Sequence, residues 1–153
     1  MKRIRRILRG EQGFTLVELM VVVIILGILA AVAVPQFMKR AETARVSSAL
    51  SSLQSMKSVI DVWAAENGKY PKEDNSSDDG IAKVLQSAGI NWTGDDKGIR
   101  DPWGNAFGYD IDSDSYTLSC GKDNSGKYYK ATNSSNPVQT DDTPTQTVTS
   151  YAP

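Results

Sequence analysis

The chain has 153 residues, enough for one domain, and its strongest apolar residues are concentrated near the start. The formal net charge is −1, but five of the 17 basic residues precede Gly13, so the rest of the chain is acidic and unsuited to general nucleic-acid binding. One cysteine, Cys120, and no histidine exclude an intrachain disulfide and the usual zinc and Cys/His catalytic sites.

A long apolar run follows the basic start. No charged residue occurs from Leu19 to Met38, and this run would form about 30 Å of helix, enough to cross a bilayer core. Ordinary signal peptides have shorter apolar regions. The arginines before the run should hold that end in the cytoplasm, so that the rest of the chain lies outside. These features leave a signal peptide, a lasting transmembrane helix and a mixture of the two as alternatives.

Two residues do not suit a plain membrane anchor. Glu18 places a carboxylate at membrane depth, which is costly unless the carboxylate finds a partner. A hydrated position near the membrane interface is the alternative for Glu18. Pro35 interrupts an otherwise continuous helical pattern, where it removes one backbone hydrogen bond and predicts a kink near Ala31.

The segment from Gly13 to Pro35, which reads GFTLVELMVVVIILGILAAVAVP, resembles the class III signal of type IV pilins and type II secretion pseudopilins. The resemblance implies that a prepilin peptidase cuts between Gly13 and Phe14 and methylates the new amine of Phe14. It also implies assembly contacts for Phe14, Glu18, Gly27 and Pro35, with Glu18 neutralising the Phe14 amine of a neighbouring copy. Two charges that are each costly alone would favour correct docking of the subunits.

Beyond Pro35 the pattern predicts a stalk and a head. Apolar residues recur at three- and four-residue steps, which predicts an amphipathic helix packed on the head. Asn67 and Gly68 should end this helix. The predicted division is a cleaved leader (1–13), a transmembrane and polymerisation helix (14–38), the amphipathic helix (39–66), a globular head (67–131) and a polar tail or surface loop rich in Thr and Ser (132–153).

The head is predicted to combine a short helix with a small sheet. Residues 81–88 carry a helical pattern, and the DPWGN segment, residues 101–105, has the composition of a turn. Alternating apolar residues predict an antiparallel hairpin over 107–120 and a third strand at 127–131. The expected fold class is therefore α+β, a long N-terminal helix packed on a small antiparallel sheet. Cys120 is expected to be a small apolar residue within a strand.

The head also resembles the major pseudopilin of type II secretion and its relatives among type IV pilins. The similarity lies in Lys69-Tyr70-Pro71, the DPWGN segment, Tyr109 and residues 121–123. In the pseudopilin branch a calcium ion often stabilises the C-terminal loop, and calcium takes about six to eight oxygen ligands. The candidate ligands are Asp110, Asp112, Asp114 and Asp123. A solvated hairpin turn is the alternative for these aspartates.

The leading hypothesis is a structural subunit of a type IV pilus-like filament, serving adhesion, motility or DNA uptake. The polar tail favours a pilus, whereas the DPWGN segment favours the alternative, the major pseudopilin of a type II secretion system. A membrane-tethered binding module that never polymerises and uses Trp92 and Trp103 is a third hypothesis. An enzyme is not expected, because no nucleophile-and-base arrangement or phosphate-binding loop is recognisable.

The resemblance also implies partners and a location. The partners would be further copies of the same chain, the prepilin peptidase, an inner-membrane assembly platform and, before assembly, the membrane itself. No nucleic acid is expected to bind the isolated subunit, and no cofactor apart from the calcium ion. The precursor would lie in the inner membrane, and the mature subunit in an extracellular pilus or a periplasmic pseudopilus.

Overall fold

The structure is a computed structural model, and it describes residues 13–74, 77–93, 98–121 and 123–141. The chain divides into two compact units between Arg40 and Ala41. Helix α1 (Leu16–Asn67) begins in the first unit and ends in the second. The second unit also contains α2 (Ile81–Ser87), β1 (Gly108–Asp112), β2 (Ser115–Cys120), β3 (Tyr128–Thr132) and β4 (Ser135–Thr140). Residues 1–12 of the predicted leader and 142–153 of the predicted tail lie outside the described residues.

The first unit presents apolar side chains on its surface. The large apolar residues from Phe14 to Met38 are 49–82% exposed, and α1 is long and apolar enough to cross a membrane. A helix of this kind requires apolar surroundings, because so large an apolar surface is unfavourable in water. Pro35 lies inside α1, and its predicted kink stays a prediction.

In the second unit α1 is amphipathic, as the sequence predicts. Ala49, Leu53, Met56 and Ile60 have no exposed surface, and their spacing of three and four residues puts them on one face. They pack in the same core as α2 and the sheet. The helix ends at Asn67, and Gly68 follows with a φ of 68°, so the predicted end of the helix is confirmed.

The four strands form one antiparallel sheet in chain order. The predicted hairpin is confirmed, since Tyr109 pairs with Leu118 and Ile111 with Tyr116. Alternate residues of the strands enter the core, because successive side chains point to opposite faces. These core residues are Tyr109, Tyr116, Leu118, Cys120, Tyr129 and Ala131. The predicted α+β class and the position of Cys120 in a strand are confirmed.

Strand β4 corrects the prediction for the C-terminal region. Residues 135–140 were expected in a polar tail or loop, because they lack the apolar alternation that signals a strand. They form a strand because β3 supplies backbone partners, with Tyr128 paired to Thr140 and Thr132 to Ser135. β4 is an edge of the sheet, and Pro137 removes one backbone donor from it.

The loop between α1 and α2 lies against the other edge strand, β1. The Tyr109 hydroxyl donates to the Pro71 carbonyl at 2.8 Å, and the Ile111 N–H donates to Glu73 Oε1 at 2.7 Å. The carboxylate thereby engages one backbone donor of the edge strand. After this loop, α2 forms over Ile81–Ser87 and Gly89 follows it with a φ of 81°, which confirms the predicted short helix.

Candidate functional site

The predicted cleavage site precedes α1. Gly13 and Phe14 have no regular secondary structure, and Phe14 is 82% exposed. A Cβ at Gly13 would meet no heavy atom within 4 Å. Because the chain itself leaves room for a side chain here, the fold of the single chain does not require glycine at this position.

Thr15 and Glu18 cap the N-terminus of α1 reciprocally. Glu18 Oε2 accepts hydrogen bonds from the Thr15 backbone N–H and hydroxyl, both at 2.9 Å, and the Glu18 N–H donates to Thr15 Oγ1 at 3.2 Å. This arrangement is a capping box, which satisfies backbone donors at a helix end. Thr15 is missing from the predicted site residues, although the T-x-x-E spacing signals the motif in the sequence.

Gly27 lies in the apolar part of α1 and has open space beside it. A Cβ there would meet no heavy atom within 4 Å. A glycine inside a helix costs about 1 kcal/mol relative to alanine, so Gly27 does not serve helix stability. A missing side chain lets another helix approach closely. The assembly roles of Phe14, Glu18, Gly27 and Pro35 nevertheless stay predictions, since they concern contacts with other copies.

The structure separates the four aspartates predicted as calcium ligands. Asp110 and Asp112 lie on β1 and Asp114 in the turn after it, whereas Asp123 follows β2 at the opposite end of the hairpin. The length of β1 puts about 13 Å between these ends. Among the described residues, no group of three or more Asp, Glu, Cys or His side chains could hold a metal ion. The four aspartates therefore do not fit one shared site.

The DPWGN segment forms the predicted turn around Asp101, which is only 4% exposed. Asp101 Oδ1 accepts from the backbone N–H groups of Trp103 at 3.0 Å and Asn105 at 2.8 Å. Its Oδ2 accepts from the N–H of Gly121 at 2.8 Å, so one carboxylate joins the turn to the end of β2. A Cβ at Gly121 would lie 2.7 Å from Asp101 Oδ2, and this close approach requires glycine.

Trp92 and Cys120 are buried, and Trp103 is partly buried. Trp92 is 3% exposed, and Trp103 is partly buried and stacks on Tyr129. These two residues therefore offer no open aromatic platform for a ligand. Burial raises the pKa of the Cys120 thiol to about 12, so Cys120 is protonated at neutral pH and unsuited to act as a nucleophile.

Comparison with known families covers both parts of the chain. Residues 8–34 match the prokaryotic N-terminal methylation motif. Residues 36–135, about two thirds of the chain, match protein G of the type II secretion system. The chain belongs to the protein G family. The pilin and pseudopilin relationship predicted from the sequence is thereby confirmed.

Relatives of this protein G family member carry two kinds of name. Type II secretion system core protein G of Pseudomonas aeruginosa is 40% identical over 109 residues, 66% of this chain and 74% of that protein. Core protein G of Aeromonas hydrophila is 34% identical over 103 residues, 65% of this chain and 72% of that protein. Type IV major pilin protein PilE1 of Neisseria gonorrhoeae is 40% identical over 67 residues, 44% of this chain and 41% of that protein. No solved structure matches at a significant level.

Membership of the protein G family changes the balance between the two filament hypotheses. The match includes the DPWGN segment and continues through β3 to the first residue of β4. The two core protein G relatives described above align over more of the chain than the pilin does. They favour the secretion alternative over the type IV pilus that was the leading hypothesis.

Proposed function

We propose that this chain is the major pseudopilin of a type II secretion system, a structural subunit that polymerises into a periplasmic filament. The match of residues 36–135 to protein G carries the proposal. The two core protein G relatives described above support it, because each aligns over about two thirds of this chain. A type IV pilus subunit is the second candidate, which the shorter alignment with PilE1 favours.

Processing would convert the membrane precursor into a subunit that is ready to assemble. The prepilin peptidase would cut after Gly13 and methylate the amine of Phe14. The exposure of Phe14 and the open space beside Gly13 support access by an enzyme. Because the cut precedes the apolar run, the helix would remain with the mature protein as its anchor.

Assembly would pair Glu18 with the Phe14 amine of a neighbouring copy. Within its own chain Glu18 accepts two hydrogen bonds from Thr15, at a helix N-terminus where negative charge is favoured. Thr15 would thus position the carboxylate before a neighbour arrives. In apolar surroundings a copy docked out of register would leave the carboxylate and the amine unpaired, so correct docking is the more stable state.

The exposed apolar surface of the first unit supports two successive environments for the chain. Lipid of the inner membrane would cover this surface before assembly, and apolar helices of neighbouring copies would cover it afterwards. The proposed partners are therefore further copies of the chain, the prepilin peptidase and the inner-membrane assembly platform. The second unit has its own core and would face the periplasm.

Deletion of the gene in the organism that carries it tests the choice of filament. Enzyme secretion into the medium and surface pili, seen by electron microscopy of sheared material, are measured in parallel. Loss of secretion with intact pili is the expected result, and the intact gene supplied on a plasmid should restore secretion. Loss of pili with normal secretion would assign the chain to the type IV pilus instead.

Mass spectrometry of the mature protein tests the processing step separately. The protein should begin at Phe14 and carry one added methyl group on its amine. A protein that keeps residues 1–13 in cells with an active prepilin peptidase would contradict the proposed cleavage.

A further inference from the structure

We propose that the loop between β2 and β3 closes through hydrogen bonds around Asp123 and Glu42 and does not need calcium. The described part of this loop is Gly121 and residues 123–127. The proposal concerns the second unit alone and holds equally for a pseudopilus and for a pilus. It departs from the calcium-stabilised loop that the family resemblance implies.

Asp123 organises the loop from within. The side chain is buried, with 7% of the residue exposed. Its Oδ1 accepts from the backbone N–H groups of Ser125 and Lys127, both at 2.8 Å, and its Oδ2 accepts from the Tyr129 hydroxyl at 2.6 Å. The Asp123 N–H donates to the Lys127 carbonyl at 2.8 Å, which closes the loop into a turn. Both carboxylate oxygens are therefore engaged by donors of the same chain.

These donors also account for the charge state of Asp123. Burial acts to raise the pKa of its carboxyl, but the hydrogen bonds from Tyr129, Lys127 and Ser125 outweigh burial and hold the pKa below its usual value. The carboxylate is thus charged at neutral pH, and hydrogen-bond donors rather than a cation stabilise its charge.

Glu42 of α1 joins the loop to the helix by accepting hydrogen bonds from it. Asn124 donates to Glu42 twice, from its backbone N–H to Oε1 at 3.2 Å and from Nδ2 to Oε2 at 2.6 Å. Trp103 Nε1 also donates to Oε1 at 2.9 Å. The Trp103 ring lies parallel to the Tyr129 ring, with centroids 5.9 Å apart. The loop, the DPWGN turn and α1 are thereby joined in one network of Glu42, Trp103, Asp123, Asn124 and Tyr129.

A calcium ion would have to break this network. It takes about six to eight oxygen ligands, and the oxygens of Asp123 already face N–H and O–H donors. The nearby carboxylate of Asp101 is engaged in the same way by Trp103, Asn105 and Gly121. Moving a cation against either carboxylate would displace donors that are buried or partly buried, and the cost of leaving them unpaired opposes binding.

Thermal unfolding of the full mature protein in detergent micelles tests the proposal. Near-ultraviolet circular dichroism follows the packed aromatic residues of the second unit, first in a chelator and then in millimolar calcium. The wild-type midpoint should be the same in both. Tyr129→Phe should lower the midpoint by roughly 4–8 °C in both, because it removes the buried hydrogen bond to Asp123. Tyr128→Phe is the matched control, since this half-buried neighbour lies on the opposite face of β3.

A saturable rise of the wild-type midpoint with calcium, absent with magnesium, would overturn the proposal. Loss of that rise in Asp123→Asn would place the ion in this loop, and if Asp123→Asn does not fold, the wild-type titration alone decides. A Tyr129→Phe midpoint equal to that of the wild type would refute the role given to the network. These results are separate from the secretion and pilus assays, because a subunit of either filament can melt with or without a calcium effect.

Discussion

At the scale of single residues, the hypothesis that copies assemble in a fixed register depends on Glu18. It is a carboxylate among exposed apolar side chains, and Thr15 of its own chain donates two hydrogen bonds to it. Thr15 supplies no positive charge. The capping box therefore satisfies the hydrogen-bonding capacity of Glu18 in part and adds no positive charge, which is what the proposed pairing with an amine of another copy requires.

Replacing Glu18 should separate membrane insertion from assembly. Glu18→Ala should insert into the membrane and be cleaved after Gly13, because the apolar run and the cleavage site are unchanged, but it should form no filaments. Membrane fractionation, mass spectrometry and electron microscopy measure these three properties. Glu66→Ala is the matched control, since Glu66 is an exposed carboxylate near the other end of α1. Normal filaments from Glu18→Ala would refute the pairing with the Phe14 amine.

Buried tyrosines make the second unit sensitive to alkali. Burial raises the pKa values of Tyr109, Tyr116 and Tyr129 above the ordinary value of 10.0, and hydrogen bonds to aspartates add to the effect for Tyr116 and Tyr129. Burial also raises the pKa of Cys120 from 9.0 to about 12. When a group has a raised pKa in the folded state, its contribution to stability is fully present below the unfolded pKa. That contribution is lost as pH rises towards the folded pKa.

The stability of the second unit should therefore be constant just below pH 9 and fall above it. Tyrosinate absorbance and near-ultraviolet circular dichroism, recorded along one pH titration, measure the effect. The three buried tyrosines should ionise in a single step together with the loss of the circular dichroism signal. Tyr109→Phe should make the decline shallower. Ionisation of all tyrosines near pH 10 with the folded signal retained would contradict this expectation.

At the scale of elements, the apolar pattern predicted the helices and strands whose apolar residues recur with a clear period. α2 and the β1–β2 hairpin have clear periods and formed where expected. β4 has polar side chains, and its pairing depends on the backbone of β3, so periodicity could not reveal it. The four aspartates are close in sequence, but an extended strand separates Asp123 from the others. The contacts of Glu42 with the loop depend on the complete fold and leave no local signal.

Lys57 connects α1 with the β3–β4 turn. Its Nζ donates to Asp61 Oδ2 at 2.8 Å and to the Asn133 carbonyl at 3.1 Å. The Lys57 side chain is only 9% exposed. Asp61 also accepts from the Tyr116 hydroxyl at 2.6 Å, so the Lys57–Asp61 ion pair of α1 contacts both β2 and the turn.

Lys57→Met should lower the free energy of unfolding by about 1–3 kcal/mol, because the variant leaves the Asn133 carbonyl and one Asp61 oxygen without this donor. Urea unfolding in micelles, followed by tryptophan fluorescence, measures the change. Lys83→Met should change it by less than about 1 kcal/mol, since Lys83 pairs with the fully surface-exposed side chain of Asp78. Equal effects of the two substitutions would show that the part-buried Lys57–Asp61 pair contributes no more to stability than an exposed pair.

A substitution at Gly27 tests whether the helices of neighbouring copies pack closely at this position. Gly27→Leu should leave insertion and cleavage unchanged, because the space beside Gly27 is open in the single chain. It should reduce filament yield, because a bulky side chain prevents the close approach of another helix. Electron microscopy and sedimentation of sheared material measure the yield. Val21→Leu, at another exposed position of α1, is the control, and equal yields from both variants would remove Gly27 from the interface.

At the scale of the whole molecule, the two units meet different requirements. The second unit buries most of its large apolar residues in a core of its own. The first unit exposes its apolar residues, since its large apolar side chains from Phe14 to Met38 are all at least 49% exposed. A subunit of this kind can be stored in a membrane as a folded protein and recruited from there. In the proposed filament, contacts among identical helices would offset the energetic cost of leaving lipid.

The edge strands β1 and β4 would lie close to those of other copies in the proposed filament. Heads held side by side at high local concentration could fuse by adding one sheet to the next, which would be difficult to reverse. Pro137 removes a donor on one margin, and Glu73 occupies the Ile111 donor on the other. In the proposed filament, both features would oppose pairing between the sheets of neighbouring heads, which would then touch mainly through side chains.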